Sequence, residues 1–179
     1  MAAFLWIFWS FSFLGWVLER LFAAVTRSSR RRRRCLLLLP LCPVYGLGMA
    51  AVLALPPNLG SGRPLYIWGC LTATAVEYIY HWWGETFLGV SFWDYTGVFG
   101  NFRGRVCLPF SLAWGLLLFP AVYLVTPPVV ALADRVPIGV TWWLLLAFTA
   151  DAVCSLRFLA VTHDLEALRA VIWPVSADR

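Results

Sequence analysis

The hydrocarbon core of a lipid bilayer is about 30 Å thick, so a helix that crosses it needs roughly 20 consecutive, mostly apolar residues. Five stretches of this 179-residue chain meet that demand, at about 2–25, 35–55, 64–83, 108–125 and 139–161. Charged residues make up only 13% of the chain against 61% hydrophobic ones, whereas a soluble domain carries about 25% charge. That is too little charge to cover a water-soluble surface, and lipid has to supply much of the outer contact. The expected fold is all-α: a polytopic integral membrane protein, one transmembrane domain over 1–179, with a short cytoplasmic amphipathic tail over 162–179. Residues 1–13 lack a positive leader region, and no small-residue cleavage site ends the run, so this stretch is expected to stay in the mature protein. Pro40 and Pro43 lie where the second helix begins, so an irregular start or a later helical start is expected. Pro120 should kink or shorten the fourth helix.

Arginines in short loops set the orientation. Arg27 and the run Arg30, Arg31, Arg32, Arg33 and Arg34 follow the first stretch, Arg103 and Arg105 follow the third, and Arg169 and Arg179 lie in the tail. The alternate side holds only Arg63 and Arg135. The amino terminus is therefore expected outside and the carboxyl terminus in the cytoplasm. The arginine run reads as a topology anchor on anionic headgroups, or as a docking surface for an acidic partner. The net charge of +5 comes with no basic groove or stacking platform, and no nucleic-acid partner is expected.

Residues 85–106 are rich in Phe, Trp, Tyr and Gly, which is unusual for a cytoplasmic loop. Aromatic residues favour the membrane interface, and glycines permit tight turns. An aromatic interfacial or re-entrant cytoplasmic hairpin between the third and fourth helices fits this composition. In the tail, Leu165, Leu168 and Ile172 share one helical face, which suggests a helix lying on the membrane surface.

Acids inside apolar helices are costly, about 2.5–3.5 kcal/mol at a helix centre. Glu19, Glu77 and Asp151 each sit in one such helix and should face the bundle interior. Glu77, His81 and Glu85 stand four residues apart and form one helical stripe, with Thr74 and Tyr78 beside it. Such a stripe could relay protons or bind a metal, but only two histidines occur in the chain, and neither a metal nor a cofactor is expected. Ser12, Gly15, Trp16 and Glu19 share a face of the first helix, where Gly15 would admit a neighbouring helix. Ser155 lies one turn from Asp151, while Arg157 lies off that face. The opposing reading makes all these acids helix-to-helix glue. The cysteines at 35, 42, 70, 107 and 154 show no paired or metal-like spacing and read as small apolar fillers. GxxxxGK[ST], GxSxG and HExxH do not occur, so any ATP-driven activity would need another subunit.

A longer pattern runs through these residues: Gly15-Trp16-x-x-Glu19, Cys42-Pro43-Val44-Tyr45-Gly46, Glu77-Tyr78, Glu85, Trp93-Asp94-Tyr95-Thr96, Asn101, Gly104-Arg105-Val106-Cys107 and Trp114-Gly115. It resembles the bacterial putative ABC-transporter type IV family, also called putative ABC transporter permease, from about Phe8 to the fifth helix. Two features depart from that pattern: the arginine run stands where a short linker is expected, and Leu39-Pro40 replaces a glycine-proline pair. The resemblance implies a multi-helix permease-like subunit of the bacterial inner membrane, with an ATPase subunit in trans; because five helices are few for a pathway, a homodimer or partner chain is expected as well. The expected site is a polar pocket for a small solute or ion, formed by Glu19, Glu77, His81, Glu85, Asp94 and Asp151. Trp16, Pro43, Tyr45, Gly46, Tyr78, Trp93, Tyr95, Asn101, Gly104 and Arg105 would shape it. Two alternatives stand beside transport: an accessory or assembly protein, and a membrane enzyme with Glu77, His81 and Asp94 as acid-base groups.

Overall fold

The computed structural model describes residues 2–26 and 35–170; the run Arg30–Arg34, Arg27, Ile172 and Arg179 lie outside them. The described chain is mostly helical. Helix α1 spans Ala2–Thr26, α2 Pro43–Leu53, and α3 Gly62–Trp83, which continues through a π-helical turn at Gly84–Leu88. Two short strands follow, β1 at Asn101–Phe102 and β2 at Val106–Cys107, paired antiparallel. Helix α4 spans Leu108–Pro120, a second π-helical turn covers Ala121–Val125, and α5 spans Thr126–Ala133. Helix α6 runs over Ile138–Thr162 and α7 over Leu165–Ala170. Among the described residues, three helical stretches are long and apolar enough to cross a membrane: Ala2–Val25, Leu108–Ala133 and Ile138–Thr162.

The stretch 35–55 is not one helix: its helical part starts late, at the second of the two prolines. Helix α2 begins at Pro43, whose fixed φ suits a first helical turn and whose missing N–H leaves nothing unsatisfied there. Its 11 residues span about 16 Å at 1.5 Å per residue, short of a bilayer core. Residues 35–42 are irregular, with Leu36 and Leu37 buried. The backbone N–H groups of Leu38 and Leu39 donate to the two carboxylate oxygens of Asp151, at 3.1 and 3.0 Å. The N–H of Cys42 donates to the carbonyl of Ser12 at 2.9 Å. Cys35 and Cys42 are joined by a disulfide, which corrects the reading of these two as fillers. Cys70, Cys107 and Cys154 are free.

The fourth helix also runs further than the expected 108–125. Pro120, Pro127 and Pro128 cannot donate to the helical ladder. The chain absorbs this by widening into the π-helical turn instead of stopping. The Thr126 hydroxyl donates to the carbonyl of Ala121 at 2.8 Å, occupying an acceptor in the widened turn.

Helix α1 packs on α2, α2 on α3, α3 on α4, and α5 returns to α1. Helix α6 touches α1, the turn at 84–88 and α7. Trp6 donates to Thr141 at 3.1 Å, and Phe8 meets Phe148 edge-on at 5.4 Å. The larger core cluster gathers Leu36, Leu37, Val44, Leu88, Val90, Phe92, Trp93, Tyr95, Leu159, Leu165 and Leu168. The apolar face of α7 thus packs on protein, where the sequence suggested membrane surface. His163, in the left-handed region at φ 53°, ends α6, and its Nδ1 lies 2.6 Å from the carbonyl oxygen of Leu88.

Two glycines of α2 have opposite surroundings. A β-carbon on Gly46 would strike the backbone oxygen of Phe8 and the hydroxyl of Ser12, whereas one on Gly48 would meet nothing within 4 Å. Gly46→Val should therefore push α1 from α2 and cost about 1–3 kcal/mol. Gly48→Ala should gain about 0.5–1 kcal/mol. Thermal denaturation of the detergent-solubilised variants reads both signs, and a Gly46→Val protein as stable as the parent would refute the close contact.

Candidate functional site

Helix α3 carries the polar stripe of the molecule, and its three members have separate surroundings. Glu77 is 2% exposed. Its Oε1 accepts from the Tyr95 hydroxyl at 3.1 Å and its Oε2 from the Trp114 indole N–H at 3.0 Å. One carboxylate thus ties α3 to the 89–107 segment and to α4. An acid desolvated to this degree needs such donors, because an unpartnered charge in an apolar surrounding is far more expensive.

One turn on, His81 is 1% exposed. Its Nε2 lies 3.0 Å from Glu85 Oε1 and 3.3 Å from the Ser91 hydroxyl, while its Nδ1 has no partner. Trp93 meets its ring edge-on at 4.7 Å. Glu85 Oε2 lies 2.7 Å from both Nε and a terminal nitrogen of Arg105, so one carboxylate oxygen is shared by two guanidinium nitrogens, a charge-assisted contact. Arg105 also donates to the Tyr78 hydroxyl at 2.8 Å and lies 5.1 Å from the centre of that ring.

The segment between α3 and β2 is a folded hairpin. Trp93 donates from Nε1 to the carbonyl of Arg105 at 2.7 Å, and the Tyr95 N–H donates to the carbonyl of Gly104 at 2.8 Å. Asn101 closes the tip, with its Nδ2 on the carbonyl of Val98 and its Oδ1 accepting from Gly104 N–H. Gly104 has φ 69°, a conformation that side chains resist. Phe92, Trp93 and Tyr95 are buried, and Tyr80 stacks over Trp93 with ring centres 6.3 Å apart. Asp94 points outward and caps the Thr96 N–H at 2.8 Å. Hydrogen bonds from the Thr96 side chain and backbone hold its carboxyl below the ordinary range. With the folded value depressed, the turn's stabilisation is complete above the unfolded carboxylate range and is lost as pH falls through the folded value.

The remaining acids lie on other elements. Glu19 in α1 accepts from the Tyr45 hydroxyl of α2. Asp151 in α6 accepts from Leu38, Leu39 and, at 3.1 Å, the Ser155 hydroxyl. Trp16 stacks on Phe13 and sits beneath the Arg20 guanidinium at 5.7 Å. Pro43 starts α2, and Gly46 lets α2 approach α1. The six expected pocket residues therefore divide: Glu77 by a cavity, Glu19 one hydrogen bond behind it, His81 and Glu85 beneath the hairpin, Asp94 at an exposed turn, and Asp151 beneath residues 35–42.

The cavity measures about 280 Å³ and lies among α1, α2, α3, α4 and the π-helical turn after α4. Its walls are apolar except for Glu77 and the polar atoms of Tyr45 and Trp114. Tyr45 and Trp114 meet edge-on at 5.3 Å. Leu14, Leu18 and Leu117 line it and are also exposed, so the mouth opens sideways on the outer face of the bundle. Sequence reasoning placed Glu77 and Tyr45 at the site but missed Trp114 and Gly48. Trp114-Gly115 was present in the motif series, and a buried indole N–H needs an acceptor. Among the described residues, no group of three His, Cys, Asp or Glu side chains could hold a metal ion.

The family model described as putative ABC-transporter type IV matches residues 6–156. No curated protein and no solved structure matches the chain.

Arg105→Gln should free the hairpin from Glu85 and Tyr78. With that clamp removed, amide exchange of Tyr95 and of residue 105 should rise by about tenfold. Unchanged exchange at both amides would show that the clamp does not hold the hairpin.

Proposed function

The chain belongs to the putative ABC-transporter type IV family, and from that premise we propose that it is a permease-like subunit whose substrate pocket is the cavity beside Glu77. The observation that carries this reading is a buried carboxylate at the wall of a cavity formed where α1, α2, α3 and α4 meet. Both oxygens of Glu77 accept hydrogen bonds, from Tyr95 and Trp114, and its side chain also lines the cavity wall. Intramembrane acids of that kind commonly mark a solute or ion path.

In this reading five segments cross the bacterial cytoplasmic membrane: α1, residues 35–53, α3, the α4–α5 helix and α6. The second crosses as irregular backbone followed by a short helix, which hydrocarbon tolerates only where protein satisfies the backbone. Asp151 supplies that satisfaction. The arginine distribution puts the amino terminus outside, with the carboxyl terminus and the hairpin on the cytoplasmic side. The ATPase is a separate subunit, and a second copy of the chain completes the pathway.

An accessory role is the second reading, and Asp151 and Glu85 favour it, because the bonds they make are structural. Affinity purification of the tagged chain in mild detergent, with mass spectrometry of bound proteins, separates the two. The permease reading expects an ATP-binding subunit at stoichiometric yield. It also expects Glu77→Gln to leave that complex intact while lowering its substrate-stimulated ATPase activity at least tenfold. A chain that emerges alone, or only with itself, would sink it.

A further inference from the structure

The sequence reading anticipated a polar pocket for a small solute or ion, but the cavity walls argue for a different ligand chemistry. A hydrated inorganic cation gives up water only where several oxygens replace it, six to eight for calcium and an octahedral set for magnesium. Glu77 is the one carboxylate on this wall among the described residues. A hydrophilic solute would leave its polar groups against leucine, valine and methionine side chains, at a cost of several kcal/mol per unmet group. The surroundings instead suit an apolar body, and at about 280 Å³ the volume falls just below the range of drug-sized ligand pockets, ~300–1,000 Å³, so the body is small.

The polar end of the cavity has one sign of charge. Glu77 reaches it directly, and Glu19 lies behind it through the Tyr45 hydroxyl. No basic residue lines the cavity among the described residues. Tyr45 and Trp114 bring aromatic rings to the same wall, and both donate their polar hydrogens to carboxylates. Aromatic faces next to carboxylates attract an organic cation, and the attraction grows when the site is desolvated. The sideways mouth at Leu14, Leu18 and Leu117 admits such a molecule from the hydrocarbon side.

We infer that the cavity binds a lipophilic monocation, of the quaternary ammonium type, with its charge against Glu77 and the Tyr45–Trp114 rings and its apolar body among the leucines of α1 and α4. This rests on the cavity being the substrate site proposed above. Gly48 gives an independent handle: it lines the cavity, and a β-carbon there would meet nothing within 4 Å, so a longer side chain fills the space without pressing on backbone.

The test uses the full chain in nanodiscs of digalactosyldiacylglycerol, an uncharged lipid without an ammonium headgroup, with empty nanodiscs as background. Tritiated 4-phenylbutyltrimethylammonium is the probe. Its competitors are the neutral carbon isostere 5,5-dimethylhexylbenzene and the anion 5-phenylpentanoate. The expected result is saturable binding, with the neutral isostere competing at least tenfold more weakly than unlabelled cation and the anion not competing. Glu77→Gln should weaken the cation at least tenfold without weakening the isostere, and Gly48→Leu should abolish binding of both. Equal competition by cation and isostere, stronger competition by the anion, no signal above empty nanodiscs, or an unchanged Glu77→Gln protein would each overturn the inference. Should Glu77→Gln fail to fold, the cation–isostere comparison on the parent protein still decides. Because no ATPase enters the assay, the two readings fail separately. Cation binding by a chain that purifies without an ATPase keeps the site and removes the transporter; an ATPase complex with no cation preference does the reverse.

Discussion

A polar group surrounded by hydrocarbon must find its partner inside the protein, and the arrangement of this bundle follows from that requirement. Four acids, Glu77 buried and Glu19, Glu85 and Asp151 half-buried, are each met by donors from a different element. Glu77 joins α3 to the hairpin and α4, Glu19 joins α1 to α2, Glu85 joins α3 to Arg105, and Asp151 joins α6 to residues 35–42. Apolar packing between helices gives little direction where the outside is as apolar as the inside. The directional contacts in this molecule are therefore largely the acids' hydrogen bonds, and they set which helix lies beside which.

The hairpin shows the same logic in a segment without long helices. Its two strands are two residues each, far too short to stand alone. It is ordered by what it touches: Tyr95 on Glu77, Ser91 near His81, and Arg105 on Glu85 and Tyr78. Its aromatic side chains fill the space between α3 and the start of α2, where Trp93 and Tyr80 stack. Cavity wall and hairpin thus share one carboxylate, so a displacement of Tyr95 is felt at the cavity without any helix moving.

Much of this was legible in the sequence, because the signals were periodic. The apolar runs gave α1 and α6 nearly to the residue, and four-residue spacing put Glu77, His81 and Glu85 on one stripe. The composition of 85–106 suggested an interfacial or re-entrant hairpin, of which the structure shows a turn closed by two short paired strands. Partners distant in sequence were not legible. Nothing in a local pattern says that Asp151 will bond the backbone of Leu38 and Leu39, 113 and 112 residues away, so a structural clamp read as a pocket acid. The four leucines at 36–39 carried the apolarity of a helix, but Pro40 and Pro43 deny it the helical N–H groups, and the start of α2 moved accordingly. Cys35 and Cys42 were seven apart in a stretch taken as helical, where their side chains share a face but cannot meet; bent backbone brings their Cα atoms to 5.1 Å.

The widened turn at 121–125 changes which way the rest of its helix faces. Each residue of an α-helix advances about 100° around the axis, and a π-helical turn holds its residues at a smaller angle, so everything beyond it is rotated out of the phase set by α4. That phase shift lets one continuous rod present one side to α3 along α4 and a different side to α1 along α5. The proline-rich stretch therefore acts as a twist coupling, giving a single span two bearing surfaces. The azimuth between those surfaces is fixed by residue count, so losing or gaining one residue there would turn α5 away from α1 without altering the apolarity of any side chain.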